Sequence, residues 1–250
     1  MITVSLSKND VHNGSLILVN RDCPVYAEHC GNRLMPVGDN GKVLIEKSAA
    51  NVLKKLMRDM NLGEKIIATS GYRSKEKQTK LYENSLTDNG LEFTAKYVAL
   101  PDHSEHQTGL AVDLALKQRD IDDIRPYFPY TGDCGAFREK ATVAGFIERY
   151  PEGKEKITGI AHEPWHFRYV GAPHAKIMHE MSVTLEEYHL LMKEFPYGEK
   201  PFKFDFDGST VSISYLAAGS EQTVFETESD VPFSVSGDNM NGYIITKWVG

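Results

Sequence analysis

The chain has 250 residues, 41% of them hydrophobic and 25% charged, an ordinary globular composition that excludes a long disordered polymer. With 28 Lys and Arg against 35 Asp and Glu, the net charge of -7 argues against a general phosphate-backbone binder, and no nucleic-acid partner is expected. No stretch approaches the roughly 18 apolar residues of a membrane span. Residues 1–8 also lack the charged-then-apolar order of a signal peptide, so a cytoplasmic chain without a membrane partner is expected.

Residues 1–44 read as irregular segments and short strands, punctuated by Asn13-Gly14, Gly31-Asn32 and Gly38-Asp39-Asn40-Gly41, with Leu16–Val19 strand-sized. Ile45, Ala49, Val52, Leu53, Leu56 and Met60 recur at helical spacing and predict an amphipathic helix over 45–60, closed near Gly63. Ile66–Thr69 reads as a short buried strand, and a charged helix follows from Ser74 to Asn84. In the strand Leu110–Leu116, Leu110, Val112, Leu114 and Leu116 make an apolar face. Ala111, Asp113 and Ala115 make the other, an acid between two small residues at the floor of a pocket.

A helix over 135–144, strands at Phe146–Tyr150 and Ile157–Ile160, and helices at His174–Met181 and after Thr184 complete the body. Thr184-Leu185-Glu186-Glu187 is a capping-box pattern, and Pro196 ends that last helix. Beyond Gly198 the pattern changes to alternation: Phe202, Phe204 and Phe206, an Asp207-Gly208 turn, then Val211, Ile213 and Tyr215, with further strands at Thr223–Glu226 and Tyr243–Trp248. The expected architecture is an α+β body over residues 1–197 and a small antiparallel β extension over 198–250, whose edges permit a homodimer. Cys23, Cys30 and Cys134 are odd in number and lack a CxxC pair, so reduced, mostly buried thiols are expected rather than a disulfide framework.

Two segments concentrate histidines with acids, Ser104-Glu105-His106-Gln107-Thr108-Gly109-Leu110-Ala111-Val112-Asp113 and His162-Glu163-Pro164-Trp165-His166. Two imidazoles and one carboxylate suit Zn2+, leaving a position open for water and a net positive charge that keeps the ion a Lewis acid. Glu163 is then the candidate base. Residues three apart face opposite ways in a regular strand, so Glu163 and His166 converge only if the segment is helical or kinks at Pro164; the alternation of Trp165, Phe167 and Tyr169 favours a kinked strand. Spacing alone leaves the bland reading open. His12, His29, His174, His179 and His189 read as ordinary hydrogen-bonding residues, and His103 and His162 as outer residues or part of a lid.

The pattern Ser104-x-His106-x-x-Gly109-x-Ala111-x-Asp113, followed by Glu163-Pro164-Trp165-His166-x-Arg168-Tyr169-Val170-Gly171, resembles the zinc D,D-peptidases of the VanX/VanY type. Ser70-Gly71-Tyr72-Arg73-Ser74 matches that family's upstream motif and Leu18-Val19-Asn20-Arg21 its entry segment, so the resemblance runs from about residue 16 to 195. Length and lack of an anchor are similar to the bifunctional VanXY enzymes of vancomycin resistance, notably the longer VanG-type form. The resemblance implies a Hedgehog/D,D-peptidase-like fold with a central antiparallel sheet and flanking helices. It makes His106, Asp113 and His166 zinc ligands and Glu163 the general base.

Arg73 would stabilise the oxyanion, Ser104 would bind substrate, Gln78 would line the same pocket, and Tyr72 and Trp165 would pack around it. The implied activity is hydrolysis of the D-Ala-D-Ala bond, in the free dipeptide and at the end of the D-Ala-terminated muropeptide precursor. Residues Lys117–Phe137, with Asp120, Asp122, Asp123, Tyr127, Phe128 and Tyr130, are a candidate wall or lid. The competing readings are a lysin-like endopeptidase with a C-terminal wall-binding module and a non-catalytic zinc-binding recognition domain. Retention of Arg73, Ser104 and Glu163 speaks against the second. None of the cysteines lies in a nucleophile–base motif, which rejects cysteine-peptidase chemistry.

Overall fold

The computed structural model describes residues 1–26, 33–38, 41–63, 65–122 and 124–250. His29, Cys30, Asp123 and the Gly31-Asn32 and Asp39-Asn40 turn signals lie outside the described residues. In chain order the elements are β1 (Ile2–Ser7), β2 (Leu34–Val37), β3 (Val43–Glu46), α1 (Lys47–Asp59), β4 (Ile66–Ser70), α2 (Lys75–Tyr97) and β5 (Ala111–Leu116). Then come α3 (Gly132–Ala144), β6 (Phe146–Tyr150), α4 (Glu155–Thr158), β7 (Glu163–Tyr169), α5 (Ala172–Met181) and α6 (Leu185–Met192). The chain closes with β8 (Phe202–Phe206), β9 (Ser209–Ala217), β10 (Gln222–Thr227), β11 (Phe233–Gly237) and β12 (Gly242–Trp248). Among the described residues no helix is long and apolar enough to cross a membrane.

Two compact units form, Val19–Thr184 and, separately, Met1–Leu18 together with Leu185–Gly250. In the first, β4, β5, β7 and β6 make an antiparallel sheet in that order, and β2 and β3 make a hairpin. The leucine face of β5 behaves as its alternation predicts: Val112 and Leu114 join Leu53 and Leu56 of α1, Phe137 of α3 and Phe167 of β7 in one core. Burying a side chain of this size stabilises by about 1.5–3 kcal/mol, so this cluster holds the sheet against its helices.

Local differences from the sequence expectations have identifiable causes. Ile45 belongs to β3, because Glu46 caps α1 by accepting from the backbone N–H of Ser48 (2.6 Å) and Ala49 (3.2 Å). The second helix does not stop at Asn84 but runs to Tyr97, broken at Gly90, whose φ of 81° leaves the helical region. Ile157–Ile160 is not a strand: Glu155–Thr158 forms one helical turn, stopped by left-handed Gly159 at φ 75°. Leu16–Val19 is buried, but outside regular strand.

The terminal unit departs from the expected division after residue 197. β1, from the start of the chain, pairs with β10 from Ile2 opposite Thr227 to Ser7 opposite Gln222. α6 packs on β9, and its His189 Nε2 lies 2.8 Å from the Leu16 carbonyl. Residues outside 198–250 are therefore built into this unit. Its main sheet, in the order β11, β12, β9, β8, is antiparallel. The β8–β9 hairpin turns at Asp207 (φ 50°) and Gly208 (φ 76°), the left-handed pair that a two-residue turn requires. β11 is not among the strands expected from the sequence: its alternation has only two apolar residues, Phe233 and Val235, before Gly237.

Candidate active site

On the face of β5 opposite its leucines, Asp113 stands directly across from His166 on β7. Cross-strand partners project to the same side of a sheet, so this register alone brings an acid and an imidazole together. A 3-10 turn at Glu105–Thr108 delivers His106, and Gly109 ends it in a left-handed conformation at φ 72°. His106 is fixed from behind by the Gly71 carbonyl, 2.7 Å from its Nδ1. Gly71 has no room for a side chain, because a Cβ there would lie 2.4 Å from the Leu44 carbonyl oxygen. The backbone N–H of Arg73 donates to the His106 carbonyl at 3.1 Å, tying the segment after β4 to the same turn.

The kink in β7 is a register shift. Phe167 faces Glu148 while Glu163 faces Tyr150, so three β7 residues lie between pairs that enclose Arg149 alone on β6. The bulge lets Glu163 and His166, three apart, line one cavity, as the kinked-strand reading requires. Arg138 braces it, donating to the Pro164 carbonyl at 2.5 Å and to Glu148 at 2.8 Å.

His106, Asp113, His166, Glu163, Arg73, Ser104 and Gln78 all line this cavity of about 270 Å³. His106 Nε2 is 3.2 Å from Asp113 Oδ2, and His166 Nδ1 is 3.0 Å from Asp113 Oδ1. One ligating atom from each of the three falls within 4.8 Å of the others. Glu163 Oε2 is 3.8 Å from His166 Nδ1. Arg73 Nη1 donates to Gln78 Oε1 at 2.8 Å and Nη2 to Ser70 Oγ at 2.9 Å, while Gln78 Nε2 donates to the Ala99 carbonyl at 2.7 Å. Gln78 therefore sets the guanidinium as well as lining the pocket. Ser104 occupies the N-cap of the 3-10 turn without making a side-chain capping bond, so a capping role does not explain it.

The donor set fits Zn2+. Asp113 Oδ1 is buried with His166 Nδ1 3.0 Å away but receives no well-directed hydrogen bond, which is costly for a carboxylate unless something else binds it. Each imidazole has a partner for its other nitrogen, Gly71 for His106 and Glu105 Oε2 (3.4 Å) for His166, leaving the facing nitrogens for a metal.

Burial pushes the Glu163 carboxyl up to about 8, with the positive His166 opposing it. For His166, burial favours the neutral ring, but the Asp113 and Glu105 carboxylates win and raise it to about 9. Burial lowers His106. Burial alone would raise Asp113, yet the two histidines hold it well below the usual carboxylate range.

Other residues stand outside the cluster. His103 has its Nδ1 2.8 Å from the Asn20 carbonyl, and His162 Nε2 is 2.6 Å from the Tyr130 hydroxyl; neither lines the cavity. Trp165 both lines it and joins the core. Among described residues of the Lys117–Phe137 segment, Ile124 lines the cavity, while Phe128 and Cys134 are in the core. Sequence reasoning assigned no role to Glu105. Its carboxylate accepts from Arg149 and Arg168, and no periodicity signals that two arginines in strands will be buried.

A family model described as VanY, D-alanyl-D-alanine carboxypeptidase, matches residues 42–172. The chain is 42% identical over 178 residues to the bifunctional D-Ala-D-Ala dipeptidase and D-Ala-D-Ala carboxypeptidase VanXYC of Enterococcus gallinarum, covering 70% of this chain and 93% of that protein. The crystal structure of the vancomycin resistance D,D-dipeptidase VanXYg, in complex with a D-Ala-D-Ala phosphinate analog, superposes with a TM-score of 0.96 at 43% identity over 99% of both chains. A variant of the D,D-pentapeptidase VanY from a VanB-type resistance cassette, in complex with Zn(II), matches at 32% identity and a TM-score of 0.59, over 70% of this chain and 98% of that one. With the motifs in one cavity and the family model covering more than half its length, the chain belongs to the VanY D-alanyl-D-alanine carboxypeptidase family.

Proposed function

We propose that this chain is a zinc metallopeptidase that hydrolyses the D-Ala-D-Ala amide bond, both in the free dipeptide and at the end of the pentapeptide precursor. The observation that carries the reading is the convergence of His106, Asp113, His166, Glu163 and Arg73 in one small cavity. The VanXYC relative, named for both activities, supports the dual specificity, and the full-length match to VanXYg supports placement with the longer VanXY form. Such an activity removes the D-Ala-D-Ala terminus and so gives vancomycin-type resistance. The setting proposed with it is the cytoplasm, which cell fractionation checks.

His106 Nε2, Asp113 and His166 Nδ1 would hold the zinc ion. Bound there, it supplies Lewis acidity toward the scissile carbonyl and the attacking water. Glu163 takes the proton as water adds to the carbonyl carbon. It returns that proton to the nitrogen as the C–N bond breaks, releasing D-alanine and a new carboxylate. Arg73, held by Gln78 and Ser70, donates to the carbonyl oxygen as negative charge develops, with no rearrangement needed at that moment. Ser104 orients the substrate by hydrogen bonding. Ile124 and Trp165 are among the apolar side chains that wall the pocket.

The test is D-alanine release from dipeptide and from pentapeptide, coupled to metal analysis of the same preparation. Stoichiometric zinc with both activities supports the reading. Loss of either activity reduces it to a single-function enzyme, and clearing of intact murein without D-alanine release replaces it with an endopeptidase.

A further inference from the structure

Glu105 lies one residue before His106, and the mechanism leaves it without a task. Its side chain, like those of Arg149 and Arg168, is fully buried. Arg149 Nε and Arg168 Nη1 both donate to Glu105 Oε1 at 2.7 Å. The other oxygen, Oε2, faces His166 Nε2 at 3.4 Å. A buried ion network is seldom needed for stability alone, since apolar residues of similar volume usually serve as well. Here the network ends on an imidazole whose opposite nitrogen faces Asp113.

We propose that Glu105 is a positioning residue for the candidate zinc site, anchored by Arg149 and Arg168 so that its free oxygen keeps the His166 proton on Nε2 and the Nδ1 lone pair turned toward Asp113 and His106. A carboxylate accepts hydrogen bonds and has no proton to offer, so His166 Nε2 must be the donor. The turn that supplies His106 thus also supplies the group that orients His166. The two arginines saturate Oε1 and leave Oε2 for the imidazole. The inference rests on the zinc reading above and adds a residue and a task to it.

Glu105→Gln separates this role from simple structural support. With both arginines donating to the amide oxygen, the NH2 group falls opposite His166 Nε2. The ring must then accept there and carry its proton on Nδ1, the nitrogen needed for the metal. Zinc affinity, measured by competition with a chromophoric chelator, is expected to weaken about 10- to 100-fold, the usual effect of removing a metal ligand's hydrogen-bond partner. In zinc-loaded wild type, 15N-histidine spectra are expected to show the His166 proton on Nε2.

A proton on Nδ1 in the wild type overturns the inference, as does unchanged zinc affinity in folded Glu105→Gln. If that variant does not fold, the combined Glu105→Met, Arg149→Met and Arg168→Met variant replaces the network with apolar side chains. The same weakening is expected there, and wild-type affinity overturns the inference. A wild-type protein that takes up no zinc overturns the site reading itself, which distinguishes the two failures.

Discussion

The two units bury charge in different ways. In the Val19–Thr184 unit, Glu105, Arg149, Arg168, Asp113 and Glu163 are all buried, and the carboxylates face other charged or titratable side chains: Arg149 and Arg168 at Glu105, His106 and His166 at Asp113, and His166 at Glu163. In the terminal unit the buried acid Asp238 uses one carboxylate oxygen to accept three backbone N–H bonds, from Met240 (2.7 Å), Asn241 (2.9 Å) and Gly242 (3.0 Å). The second arrangement is a turn satisfied by its own neighbours and explains itself structurally. The first sets a buried carboxylate between two imidazoles, one at each oxygen, the arrangement that marks a site built to bind something. The family model's match at residues 42–172 falls wholly inside the unit with that carboxylate.

The most severe way to break this contrast is metal removal. Dialysis of the protein against a chelator is expected to take D-alanine release to background, and added Zn2+ to restore it; release that survives full chelation would remove the site from the chemistry. Next, Glu163→Gln should lower kcat roughly 10²- to 10⁴-fold, the range of a general base, with zinc content unchanged by elemental analysis. Arg73→Met should cost about 10²- to 10³-fold in kcat, as loss of one oxyanion donor does, read from steady-state kinetics on both substrates.

In the terminal unit the expected losses are of stability. Ile213→Ala, a fully buried position of β9, should destabilise by about 2–5 kcal/mol in denaturant titration, while the folded protein keeps its zinc. The smallest effect belongs to Gly208→Ala. A Cβ there meets nothing within 4 Å, so the cost is backbone alone, about 1–2 kcal/mol for a left-handed residue. A fall in zinc affinity for either variant would erase the distinction between the units.

Much of the site was legible before the fold. The alternation in Leu110–Leu116 placed Asp113 opposite the apolar face, and Val112 and Leu114 are indeed wholly buried in the core. The constraint that residues three apart diverge in a strand demanded a kink between Glu163 and His166, and the register shift supplies it. What was illegible depended on partners far along the chain. Glu105 sits in full view beside His106, but its bonds run to Arg149 and Arg168, 44 and 63 residues further along the chain. The boundary after residue 197 followed local texture, whereas β1 pairs with β10 across almost the whole chain.

Length, composition and charge narrowed the chain to a mildly acidic globular protein, and the spaced motifs supplied the chemistry of two imidazoles, an aspartate, a glutamate and an arginine. Side-chain period and residue type are local properties, so one sequence can carry them. Which residues share a cavity is decided by strand register, by the bulge in β7 and by the turn that lifts His106 beside Asp113. Those follow from how the whole sheet closes over its core, because one step of register would send Asp113 or His166 to the opposite face.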